Sequence, residues 1–161
     1  MPKTYEPIAT NTLGSNAATI TFSSIPSTYT DLVLVASAAA TGFDTPALQF
    51  NGDTSTNYSR TFIYGDGSSA TSGRNSNQAK MLFAGIDPSI STQFFYIMNY
   101  ANTATFKTVL HRSGAAGTFT TAIVGLWRKT PEAITSIVLS MNGAQSYSIG
   151  STFTLYGIKA A

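Results

Sequence analysis

Apolar and polar residues alternate one for one along much of this chain, the period of strands with one covered face. Over 151–158 (STFTLYGI), Phe153 and Leu155 fall on one side and Thr152, Thr154 and Tyr156 on the other. Residues 19–23 repeat the arrangement, with Ile20 and Phe22 against Thr19, Thr21 and Ser23. Residues 105–112 set Phe106, Thr108 and Leu110 against Lys107, Val109 and His111. Residues 119–128 set Phe119, Ile123 and Trp127 against Thr120, Ala122, Val124, Leu126 and Arg128. Four further stretches, 32–35, 81–86, 94–98 and 134–141, are apolar on both sides and rich in β-branched or aromatic residues. Their length predicts strands covered on both faces. With 5–13, 47–51 and 60–64 the pattern gives ten or eleven strands. The only helical feature expected is a single turn opened by Pro131-Glu132-Ala133.

Punctuation agrees with this reading. Asn51-Gly52 and Asn142-Gly143 are tight-turn signals, and Gly65-Asp66-Gly67 supplies positive φ without steric cost. The longest polar run, 66–78 (DGSSATSGRNSNQ), predicts an exposed loop between strands. So many short antiparallel strands must stack or close to protect their edges. Tight connections alternating with long ones favour Greek-key wiring. The expected fold is all-β: a single-domain antiparallel β-sandwich of jelly-roll (Greek-key) topology with about ten strands. Residues 1–13 form an N-terminal arm or edge strand, and 14–161 form the sandwich.

Composition then narrows the function. Only 10% of the 161 residues are charged, against roughly a quarter in an average soluble domain. There is one His, no Cys and only seven carboxylates, so the groups most used for acid–base, nucleophilic or metal chemistry are scarce. His111 reads as an exposed strand-end residue with no nucleophile motif around it. The carboxylates, Glu6 apart, fall at turns and strand entrances, where Asp caps backbone donors. The chain is therefore not expected to be an enzyme, and no catalytic, metal or cofactor-binding residues are assigned. Asn51, Asp53, Asn57 and Asp66 are loop oxygen donors, but they lack EF-hand spacing. The nine basic residues are scattered, and only Arg128-Lys129 are adjacent, so no nucleic-acid stripe forms. No apolar run reaches the ~20 residues of a membrane span. The N-terminal MPKTYE lacks the apolar core of a secretory signal. Aromatic and amide residues leave glycan binding open, with Tyr58, Tyr64, Tyr100, Trp127 and Tyr147 as candidate platforms and Tyr58 and Tyr147 singled out. Trp127, alternating with Gly125 and Ile123, is expected to be buried.

Three motifs carry a resemblance. Ile25-Pro26-Ser27-Thr28-Tyr29-Thr30-Asp31-Leu32-Val33-Leu34 follows a pattern I-P-x-x-Y-x-D-L-x-L. Leu48-Gln49-Phe50-Asn51-Gly52-Asp53 is followed by Asn57-Tyr58-Ser59, and close to the C-terminus stands Gly150-Ser151-Thr152-Phe153-Thr154-Leu155-Tyr156-Gly157-Ile158. Together they resemble β-sandwich virion proteins of tailed bacteriophages, especially cyanobacterial and marine phages, which include capsid decoration (cement) proteins and fibre-tip domains. The resemblance implies a jelly-roll homotrimer on a virion. The expectation drawn from it is a decoration protein on the capsid exterior, assembled in the host cytoplasm, with the major capsid protein and its own copies as partners. It would stabilise the shell by bridging capsomers. The alternative is a tail-fibre or tail-tip module that binds host-surface glycan. Tyr5, Ile8 and Leu13, in a segment interrupted by Pro2 and Pro7, are the candidate contacts with the shell or a neighbouring subunit.

Overall fold

A computed structural model describes residues 4–115 and 119–159. Residues 1–3, and with them the Pro2 of the expected arm, lie outside the described residues. Among the described residues, twelve antiparallel strands form two sheets. The larger runs β1 (Tyr5–Thr12), β12 (Thr152–Ile158), β3 (Asp31–Ala38), β8 (Ser91–Met98), β9 (Lys107–Ala115), β10 (Phe119–Trp127), β5 (Tyr58–Gly65) and β6 (Ala70–Gln78). The smaller runs β2 (Thr19–Phe22), β11 (Ile137–Met141), β4 (Pro46–Phe50) and β7 (Met81–Leu82). No helix occurs among the described residues, so Pro131-Glu132-Ala133 opens none. The chain is an all-β sandwich.

The wiring explains the unequal widths. β1, β3, β8 and β12 lie in the large sheet, and β2, β4, β7 and β11 in the small one. The chain crosses from sheet to sheet at every connection except β5–β6, β8–β9 and β9–β10. Two hairpins, β5–β6 and β9–β10, never cross; both add to the same side of the large sheet, beyond β8.

The alternation read from sequence sorts the faces. Leu32, Leu34 and Ala36 of β3, Phe95 and Ile97 of β8, and Phe153 and Leu155 of β12 point inward and are buried. They meet Ile20, Phe22, Leu48, Phe50, Ile137 and Leu139 of the small sheet in one apolar core. Burying side chains of this size is worth about 1.5–3 kcal/mol each, which drives the two sheets together.

Three expectations change. The run 66–78 is not a loop: its larger part is β6, paired with β5 from Tyr58↔Gln78 to Gly65↔Ala70. An edge strand can be polar throughout, because its ladder comes from one neighbour and polar residues blunt the open edge. Of 81–86 only Met81–Leu82 pairs as a strand; the chain then leaves the ladder and returns through the single bridge Asp44↔Ile86. Asn51 and Gly52 both take positive φ, 51° and 67°. Asn142-Gly143 does not, and the Gly143 N–H is instead held by the Asp44 carboxylate at 2.9 and 3.0 Å.

The Asn51-Gly52 turn delivers Asp53 to the interior, where it ties the hairpin extension to the core. Trp127 Nε1 donates to Asp53 Oδ2 at 2.7 Å, Asn57 Nδ2 donates to the same oxygen at 2.9 Å, and Ser55 N donates to Oδ1 at 3.0 Å. Tyr58 stacks on Trp127, with centroids 6.3 Å apart and planes 13° off parallel, and its hydroxyl donates to Asp53 O at 3.1 Å. Burial pushes the Asp53 carboxyl up, but the hydrogen bonds from Asn57, Trp127 and Ser55 outweigh it and hold it below the ordinary 3.8. A depressed carboxyl stabilises the fold fully above its unfolded value, and that stabilisation fades as pH falls through the folded value. Asp53→Ala strands the buried indole N–H and is expected to cost about 3 kcal/mol. Urea unfolding followed by the fluorescence of Trp127, the only Trp, measures this; a loss below about 0.5 kcal/mol contradicts the hub role.

Candidate functional site

The structure separates the residues singled out from sequence. Tyr58 and Tyr147 are 0% and 1% exposed, so neither ring can serve as a sugar platform. Both sit on inner faces: Tyr58 stacks on Trp127, and Tyr147 meets Phe153 edge-on at 5.0 Å. Tyr100 is buried too, its hydroxyl donating to Pro26 O, and Trp127 is buried as expected. Leu13 belongs to the core and is closed to any outside partner. Ile8 is half-buried against that core, whereas Tyr5 stands 51% exposed on the edge strand, its ring edge-on to Tyr156 at 6.3 Å. The loop oxygen donors do not converge. Asp53 and Asn57 form the hub, and Asn51 binds Glu132, Ala133, Thr135 and Ser136. Asp66 caps Ser68 N and Ser69 N in the β5–β6 turn.

His111 is a second correction. It stands in mid-strand on the inner face, opposite Phe95 and Ile123, and is 3% exposed. Phe83 and Phe95 flank its ring at 4.8 and 4.7 Å, and neither ring nitrogen has a hydrogen-bond partner among the described residues. Burial, and then the charge of Arg60, drive it down to about 3. With no nucleophile bonded to it, the imidazole acts as a neutral packing group.

What remains exposed is informative. The outer face of the large sheet carries three cross-strand rows. One runs Tyr156, Val33, Tyr96, Leu110, Val124, Thr61. The next runs Thr154, Val35, Phe94, Arg112, Ala122, Ile63, and the third Thr152, Ser37, Thr92, Gly114, Thr120, Gly65. Five of the nine large apolar side chains most open to solvent lie on this face: Tyr5 51%, Ile63 60%, Met98 41%, Leu110 40% and Val124 45%. Within the three rows Arg112 is the only charged residue. Its guanidinium lies over Phe94 at 5.0 Å and Tyr96 at 5.7 Å and donates to Tyr96 Oη at 3.1 Å.

The inner face of the hairpin extension holds a second feature that sequence reading missed. Beyond the edge of the small sheet, a groove of about 520 Å³ opens between the inner sides of β5 and β10 and the segment 83–87. Phe43, Phe62, Tyr64 and Phe119 wall it, and Arg60 and Asp87 reach it from opposite charge classes. Two of its rings rest on glycines. A Cβ at Gly73 would lie 2.5 Å from the Phe62 ring, and one at Gly85 would lie 2.6 Å from the Phe43 ring. The signal in sequence is Gly73, the one glycine of β6, which a polar run read as a loop conceals.

No protein-family model matches the chain, and no curated protein matches it either.

The geometry of His111 makes one stability prediction. Its folded value lies below the unfolded 6.5, so the neutral form is favoured by folding and its contribution is complete above pH 6.5. That contribution is lost as pH falls from 6.5 towards 3, at up to about 1.4 kcal/mol per pH unit. His111→Leu is expected to flatten this slope between pH 6.5 and 5, where carboxylates are still ionised. Urea midpoints across that window decide the point: equal slopes in both proteins refute it.

Proposed function

We propose that this chain is a structural subunit of a virus particle: a decoration (cement) protein on the outside of a tailed-phage capsid, packed as a homotrimer. The observation that carries the reading is the outer face of the large sheet. Covering that face with a protein neighbour buries Leu110, Val124, Ile63 and Met98 and desolvates little charge, since Arg112 is the one charged residue of the three rows. A surface kept monomeric by selection carries more Lys and Glu on such a face. Arg112, over two rings and without an ion pair among the described residues, offers one charge for a partner carboxylate. Exposed Tyr5, at the β1 end of the same sheet, is the contact we assign to the shell or an adjacent subunit.

We read the wiring as jelly-roll winding of eight strands, in orders β1-β12-β3-β8 and β2-β11-β4-β7, with two hairpins added. This reading agrees with the resemblance of residues 25–34 to β-sandwich virion proteins. The function follows by linkage: a protein that binds only the assembled shell stabilises it by mass action.

Sedimentation equilibrium and binding to shells of the co-encoded major capsid protein test this together. Wild type is expected to be trimeric and to coat shells at a copy number comparable with the capsid subunits. Leu110→Lys and Val124→Lys place a charge on the face without touching the core, and are expected to weaken assembly roughly tenfold or more while leaving the urea midpoint near wild type. Unchanged trimerisation and coating in both variants, or a wild type that stays monomeric and ignores shells, overturns the reading.

A further inference from the structure

We propose that the groove beside β5 and β10 is a binding site for a neutral saccharide. Its volume, about 520 Å³, falls within the range of small-ligand sites, ~300–1,000 Å³. The walls are rings presented to solvent, with Phe43 68% exposed and Phe62, Tyr64 and Phe119 half-buried. Phe43 and Phe62 are held against glycine backbone, so their placement is fixed before any ligand arrives. Flat apolar rings suit the C–H faces of a pyranose.

The polar atoms favour a hydroxyl-rich ligand over a hydrocarbon. Arg60 spends Nε on Asn75 Oδ1 at 2.8 Å and Nη1 on Phe83 O at 3.1 Å, while Nη2 makes no bond to the described residues. These two bonds, with the guanidinium 4.9 Å from the Phe62 ring centre, lock the side chain at the groove wall. Asp87 Oδ1 accepts from Ser89 N, and neither its Oδ2 nor the hydroxyls of Thr45 and Tyr64 make a bond to the described residues. The groove thus offers a charged donor, a charged acceptor and two hydroxyls around aromatic faces. One cation and one anion leave no net charge to attract an acidic ligand, and vicinal hydroxyls can bridge donor to acceptor. An apolar acid would satisfy Arg60 but leave Asp87 facing hydrocarbon. The site lies on the opposite side of the sheet from the proposed assembly face, so the two ideas stand or fall separately.

Amide chemical-shift titration of the full chain with neutral di- to tetrasaccharides of glucose, galactose, mannose and N-acetylglucosamine tests the proposal. Hexanoate and glucuronate serve as the competing chemistries. At least one neutral sugar is expected to give saturable shifts around residues 43–45, 60–64 and 83–87, with a Kd in the millimolar range or tighter. Phe43→Ala, at a side chain too exposed to hold the fold, is expected to weaken binding at least about fivefold. Val124→Lys, on the other face, is expected to leave it unchanged. The proposal is overturned by no saturation up to about 20 mM of any neutral sugar. It is overturned equally by undiminished binding in Phe43→Ala, or by tighter binding of glucuronate or hexanoate.

Discussion

Eight strands in one sheet faced by four in the other is the constraint on which the rest of this structure depends. A strand sends alternate side chains to opposite faces, so a sandwich gives each strand one inner face to cover. Here the small sheet of β2, β11, β4 and β7 is half as wide as the large one; β7 and Phe50 of β4 reach over parts of β5 and β10, and the rest of the two added hairpins has no counterpart. The molecule resolves this at the inner face of the extension by degrees. Nearest the small sheet, Met81 and Phe83 reach over Gly125 and His111, and Trp127 and Tyr58 stack over the Asp53 hub. Farther along, Phe62, Tyr64 and Phe119 outrun the cover, and the groove is what is left.

Polar burial in the extension has the same origin. Ser113 and Thr121 fall side by side on its inner face, next to Gln93 of β8, and the Ser113 and Thr121 hydroxyls satisfy each other at 2.8 Å. Buried hydroxyls paired this way cost little, whereas an apolar row there would have joined the groove as one large exposed patch. Lys107 shows the opposite end of the same strand. Its buried ammonium donates to Asn102 O at 2.5 Å and Thr105 O at 2.8 Å, and burial lowers its pKa while carbonyls take the charge. The strand stays apolar only where the small sheet lies above it.

How much of this was legible in the sequence depends on what each signal measures. Period-2 alternation marks two faces and identified nearly every strand, but it does not say which face is covered. Lys107 and His111 were therefore not recognised as inward-facing, although they share a face with Val109. Polarity marks solvent, not irregularity, so the edge strand β6 looks like a loop in the sequence. That hid the opposition of Gly73 to Phe62, which shapes the groove. Aromatic identity is silent on depth: Tyr58 and Tyr64 lie on one strand and one face, yet one is sealed by the hub and the other lies beyond the cover. The charge-poor composition, by contrast, is a property of the whole surface and carried over directly to the outer face of the large sheet.

The alternation that hid these details also keeps the two exposed features independent. Along β5, Arg60, Phe62 and Tyr64 face the groove, while Thr61 and Ile63 face outward. Along β10, Thr121 and Ile123 point inward, and Ala122 and Val124 outward. A neighbour packed on the outer face and a ligand in the groove would touch the same two strands through different residues, with only the backbone ladder between them. Side chains that share no partner act additively unless the backbone between them shifts. A ladder hydrogen-bonded on both sides, as β10 is by β9 and β5, resists such a shift. A wide sheet with half a cover can therefore present one surface for assembly and another for recognition without either constraining the sequence of the other.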